Sequence, residues 1–220
     1  MARNKYPEET INQILSVSLT LFMQKGYEQT SIQDIINELG GLTKGAIYHH
    51  FKSKEDIMLA VIDQLFKGVD ETLTAVRDDP ALNGLEKLRK IFRVALSNPA
   101  QLEMAATAPN LLNNPKMLAA QIQNIIEEAV PVYIQPIIEQ GITDGSIRTE
   151  YAKELSEVLM MLGNLWLNPM VIAEAPENMI RRCRLFHELF KGIGLDLFDE
   201  QMLHQYEEFY RMYNEKREKK

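Results

Sequence analysis

Leu42 to Ile57 reads "LTKGAIYHHFKSKEDI", and the fold and use of this chain turn on how that stretch is read. Two adjacent histidines sit between a tyrosine and a phenylalanine, with three lysines and a glycine close by. A metal or catalytic cluster, a buried aromatic core and a gripping surface all share this composition. Adjacent residues lie about 100° apart on a helix, whereas a helical metal pair needs i,i+4 spacing. The other histidines, His187 and His204, are distant in sequence, and the nearest acid, Glu55, follows a helix boundary. No metal site and no catalytic set is expected here. Ile47 and Phe51, four apart, form the inward side of one short helix. Thr43, Lys44, Gly45, Tyr48, His49 and Lys54 are left to face outward. His50 is equally compatible with a half-buried ring bonded to backbone and with a phosphate contact.

Working upstream, Pro7 suits a first helical position, with Glu8 and Glu9 favoured by the helix dipole. Ile11, Ile14, Leu15, Leu21 and Phe22 give that helix an apolar face. Gly26 reads as its left-handed terminator, with Tyr27 placed to fold back on Phe22. A second helix is expected from Thr30, with Gln33 completing a capping box, and Ile32, Ile35, Ile36 and Leu39 on one face. Gly40–Gly41 breaks the chain, and Thr43 caps a third helix to about His50. Ser53 caps a fourth, with Asp56 at the matching third position. Two short helices around a glycine-containing turn make a helix-turn-helix, whose second helix enters the DNA major groove. Thr43 and Lys44 stand at that helix's start, where backbone N–H groups attract phosphate. Lys44 reaches far enough for a guanine edge, and Gly45 permits close approach. Tyr48, His49 and Lys54 add donors for phosphates.

The run "GYEQTSIQDIINELGGLTKGAIYHHFKSKEDI" resembles the DNA-binding head of the TetR family of bacterial transcriptional regulators, over about residues 8–60. The resemblance implies phosphate contacts from Thr30 and Ser31, and base-edge contacts from Thr43, Lys44 and Gly45. It implies that Tyr48, His49, His50 and Lys54 hold the DNA backbone. It also implies an all-α body that dimerises and houses a small-molecule pocket.

The chain's charge is divided in a way that suits two jobs. The net charge of 220 residues is −7, yet residues 1–54 carry +1 and the rest −8. That balance argues against coating nucleic acid with the whole surface. The single cysteine, Cys183, rules out an intrachain disulfide and a multi-cysteine zinc site. No stretch approaches 18 uninterrupted apolar residues, so a soluble cytoplasmic protein without membrane contact is expected.

Beyond residue 54, helical periodicity continues without strand-like alternation. Helices are expected at about 54–78, 84–97, 101–107, 115–141 with kinks at Pro131 and Pro136, 150–167, 177–191 and 198–213. The expected fold is all-α. A three-helix head (1–54) is joined through the fourth helix to a larger helical ligand-binding and dimerisation domain (55–220). Leu155, Leu159 and Leu162, with Met179, Cys183, Phe186 and Phe190, form stripes that suit a four-helix dimer interface. They suit an intramolecular core as well. Met104, Met117, Asn164, Trp166 and Met170 are candidate pocket residues, with core filling the plainer reading of the methionines.

These features favour a DNA-binding regulator with no cofactor and no enzymatic activity, and the resemblance implies a dimeric repressor released from a pseudo-palindromic DNA operator by an unknown small-molecule effector. Two rivals use the same head differently. One is an architectural or division-linked DNA-binding protein without inducer, the other a helical binder or enzyme with a vestigial head. No paired carboxylates, nucleophile–base set or phosphate loop supports the enzyme.

Overall fold

The computed structural model describes residues 7–66, 69–96, 106 and 110–218, and the described residues form helices and connecting turns with no strand. Three helices make the head: α1 (Pro7–Lys25), α2 (Ile32–Leu39) and α3 (Lys44–His50). α4 (Lys54–Phe66) leaves the head and is followed by α5 (Val69–Arg77). The body continues with α6 (Gly84–Leu96), α7 (Pro115–Asn124), α8 (Gln135–Asp144), α9 (Ala152–Met161), α10 (Pro176–Gly192) and α11 (Glu200–Glu218).

The expected punctuation of the head is present, with one shift of register. Gly26 is left-handed at φ 81°, and the Phe22 and Tyr27 rings meet at 5.4 Å. Gly40 is left-handed at φ 61° where α2 ends, a conformation that suits glycine. Thr43 Oγ1 accepts from Ala46 N at 3.3 Å, and Ser53 Oγ from Asp56 N at 3.1 Å. The α2 capping box, however, is Ser31 with Asp34, not Thr30 with Gln33. Asp34 returns a carboxylate to the Ser31 N–H at 2.8 Å, while Gln33 points along the helix to Asn37 Oδ1 at 2.9 Å.

Ile14, Phe22, Ile35 and Ile47 make the head's centre, joined by Ile57, Met58 and Val61 of α4. Leu111, Met117 and Val171 from the body complete the same apolar cluster. The head therefore does not close on its own residues alone. Leu111 N donates to Met170 O at 2.8 Å, tying two body segments together beneath the head.

The body's centre holds Leu88, Ile137, Ile138, Leu159, Phe186, Leu197, Phe198 and Met202. Phe186 stacks on Phe198 at 5.3 Å, with Phe92 edge-on to both. Pro131 and Pro136 widen the helix rather than break it. From Ile125 to Ile134 the backbone bonds run in the wider π pattern, with Gln135 N donating to Val130 O. Pro136 has no N–H for Val132 O, and Arg77 Nη1 takes that carbonyl at 3.0 Å. A second wide turn, Leu162–Trp166, extends α9, with Leu167 N bonded to Leu162 O. Of the expected helix over 101–107, only Ala106 falls among the described residues.

Candidate nucleic-acid interface

α3 presents two faces, as four-residue spacing dictates. Ile47 is fully buried and Phe51 nearly so, while Thr43, Lys44, Gly45, Tyr48 and His49 are exposed. Lys44 Nζ stands 5.8 Å from the centre of the Tyr48 ring, one turn on. His49 and His50 meet edge to face, with ring centres 5.1 Å apart. Among the described residues, no group of three or more His, Cys, Asp or Glu is placed to hold a metal ion.

The expected phosphate donors fare differently. Thr30 is buried, its hydroxyl directed at Gly26 O (2.8 Å) and Leu21 O (3.3 Å). Burial removes it from any DNA surface. Ser31 is exposed, but its hydroxyl donates to Asp34 Oδ2 at 2.7 Å, so its single proton is already committed. That hydroxyl, the Ser31 N–H and Lys25 nearby hold the Asp34 carboxyl below the usual carboxylate range. Lys54 is half-buried and turned inward. Its ammonium donates to Tyr27 O at 2.8 Å and Thr30 O at 3.0 Å, 4.2 Å from the centre of the Tyr27 ring.

The family model described as bacterial regulatory proteins, tetR family, matches residues 14–61, the span that carries all of this geometry. Residues 14–61 thus form a DNA-binding head of the TetR type. It is 28% identical over 158 residues to the transcriptional repressor KstR2 of Mycolicibacterium smegmatis, covering 68% of this chain and 73% of that one. The regulator TtgR of Pseudomonas putida is 33% identical over 85 residues, covering 39% and 40%. A TetR-family regulator from Pectobacterium atrosepticum has the same fold, with TM-score 0.61 and 21% identity, covering 87% of this chain and 97% of that one. With TetR-family relatives named as transcriptional repressors and regulators, this chain is a helix-turn-helix transcriptional regulator.

The TetR-type body does not gather the candidate pocket residues into one cavity. Met117 and Met170 pack into the cluster shared with the head, and Met104 lies outside the described residues. Trp166 packs on the body core beneath Arg182, which reaches Trp166 O at 3.3 Å. Asn164 donates to its own helix at Met160 O. An open groove of about 370 Å³ lies elsewhere, lined by Ala173, Glu174, Ala175, Asn214, Arg217 and Glu218.

The expected dimer stripes also need correction. Leu155, Leu159, Met179, Cys183, Phe186 and Phe190 are buried within the protomer, and Leu162 is half-buried against the same core. Burial pushes the Cys183 thiol up to about 12, so it is inert as a nucleophile. The apolar residues that α10 and its end leave exposed are Leu185, Leu189 and Ile193, each at least half accessible. They follow one another at i, i+4 and i+8, a signal the sequence holds but which the stronger aromatic stripe concealed.

One joint escaped the sequence reading. Lys116, in the first turn of α7, pairs with Asp56 in the first turn of α4, and Asp56 also accepts the Lys52 N–H at 3.0 Å. Lys116 foremost holds the Asp56 carboxyl below its usual range. The link joins the body to the residues that follow the exposed α3. Two side chains sixty residues apart give no local pattern that could have revealed it.

Proposed function

We propose that this regulator is a dimeric repressor that reads a two-fold-symmetric DNA operator with α3 of each protomer, and leaves it when a small molecule binds the body. The observation that carries the reading is the divided α3. Ile47 and Phe51 are held in the core, and a polar edge of Thr43, Lys44, Gly45, Tyr48 and His49 is turned to solvent. Residues 1–54 act as the DNA-reading unit and residues 55–220 as the regulatory and dimerising unit. The −8 charge of the latter keeps DNA to the head. The relatives named as repressors favour repression over activation. Leu185, Leu189 and Ile193 supply the dimer contact, since the larger aromatics of α10 are already used inside the protomer.

An effector shifts the head only through a difference in affinity for two arrangements of the body. The segments that can carry such a shift are those that meet the head: Leu111, Met117 and Val171 in the shared cluster, and Lys116 on Asp56.

The test is selection of bound sequences from genomic fragments at moderate salt, followed by titration of the selected site. A two-fold-symmetric site is expected, with Lys44→Ala weakening binding and relaxing selection at one position by about 1–3 kcal/mol. Wild-type protein that selects no sequence, or Lys44→Ala that selects as before, removes the reading.

A further inference from the structure

Lys54 stands where a DNA-facing lysine was expected, yet it is built into the frame of the head. We propose that Lys54 is a positioning residue: it pins the turn between α1 and α2 to the start of α4, and so sets α2 and α3 for DNA. Neutralising phosphate beside it then falls to Lys52. The inference rests on the DNA-binding reading above.

Three observations converge on Lys54. After Gly26 turns the chain out of α1, the carbonyls of Tyr27 and Thr30 flank the gap before α2. The Lys54 ammonium accepts neither role of a loose surface charge. It donates to both of these carbonyls, at 2.8 and 3.0 Å, with the Tyr27 ring 4.2 Å away. Two charge-assisted hydrogen bonds and a π face make a satisfied cation site, and reaching a phosphate means giving them up. The elements it joins are not otherwise adjacent in sequence, since Tyr27 and Lys54 are 27 residues apart. Thr30 is itself buried at the same turn, so the pin holds a segment already anchored in the core. Lys52, two residues earlier, is exposed, and its N–H is fixed by Asp56, which leaves its side chain at the exit of α3.

Counterion release separates a phosphate contact from a positioning role. Each neutralised phosphate contributes about 0.9 to the slope of log binding constant against log salt. Binding of the selected operator is measured over a salt series for wild type, Lys52→Met, Lys54→Met and Lys54→Gln, with folding checked by circular dichroism. Lys52→Met is expected to flatten the slope by about 1.8 for a dimer that loses two phosphate contacts. Lys54→Met is expected to weaken binding by roughly tenfold or more at every salt concentration with the slope unchanged. Lys54→Gln, which keeps an N–H for one carbonyl, is expected to recover part of that loss. A Lys54→Met slope that flattens as much as that of Lys52→Met overturns the proposal.

Acetylation of the folded wild type reads the same point without substitution. Lys54 is expected to react slowly with or without operator, whereas Lys44 and Lys52 react quickly and become protected by it. Rapid Lys54 acetylation in the DNA-less protein, suppressed by operator, also overturns the proposal. Wild-type protein that binds no DNA removes the DNA-binding reading itself, an outcome distinct from a changed Lys54 slope.

Discussion

Thr30 and Ser31 show how much one register position decides. Both are good helix caps and both are small hydroxyl donors, so their local chemistry does not separate them. In the fold Ser31 caps α2, while Thr30 rotates into the core and spends its hydroxyl on Gly26 O. Thr30→Val keeps the shape and removes that bond. It is expected to lower stability by about 1 kcal/mol in urea unfolding, and to leave the salt slope of DNA binding unchanged. An altered slope with unchanged stability contradicts the buried role. Ile47 and Phe51 were legible from spacing alone, because a four-residue interval fixes the face of a helix whatever it packs against. The direction taken by Lys54 was not. A long, flexible side chain goes where carbonyls await it, and those carbonyls belong to a turn far back in sequence.

At the level of elements, periodicity told that helices form but not which neighbour each one meets. The α10 stripe of Met179, Cys183, Phe186 and Phe190 fitted a partner subunit and the protomer's own core equally well. The fold assigns it to the core, since α11 supplies Met202, Tyr206 and Tyr210 to the same cluster. Two substitutions separate the faces. Phe186→Ala is expected to cost about 3–5 kcal/mol of unfolding free energy. Leu189→Glu is expected to leave helix content unchanged while shifting the protein toward monomer in light scattering. A Leu189→Glu protein of unchanged mass rules out this face as the dimer contact. The crossing of α6 and α8 was equally hidden. A Cβ at Gly84 would stand 2.4 Å from Gly141 Cα and 2.7 Å from Ile137 O, backbone atoms that cannot step aside. Beside this crossing, buried Lys87 donates to Arg77 O and Gln140 Oε1, both at 2.5 Å, so three elements meet there. Gly84→Ala is expected to destabilise by about 2–3 kcal/mol or more, read from thermal or urea unfolding.

For the whole molecule, the buried aromatic and thiol groups set a limit in base. Burial raises the Cys183 thiol from 9.0 to about 12 and pushes Tyr206 and Tyr210 well above their usual value. The folded state thus holds these protons more tightly than the unfolded chain does. Their stabilising contribution is complete below the unfolded values near 9 to 10 and declines as pH rises through that range toward the folded values. The urea midpoint is expected to hold from pH 7 to 8.5 and to fall steadily between about pH 9 and 11. A midpoint that stays level to pH 11 contradicts the burial of this set. Asp56 has the opposite sign. Its depressed carboxyl keeps the Lys116 link intact at neutral pH, and the link is lost only below the ordinary carboxylate range. The joint between head and body is therefore present wherever the protein is expected to work.

By itself the sequence determined the helical class, the helix-turn-helix head, the outward edge of α3 and the family to which it points. The first three follow from short-range rules, caps, glycine turns and four-residue spacing, which act within about two helical turns, while the family rests on the resemblance of the head's sequence. Only the tertiary structure decided that Thr30 and Lys54 hold the head together and that the aromatic stripe of α10 is core. The same is true of the pairing of Lys116 with Asp56, and of the body segments Leu111, Met117 and Val171 that complete the head's apolar cluster. The reason is physical. Burial, backbone carbonyls awaiting a donor and charge partners across the chain are properties of the assembled packing, and they have no local signature.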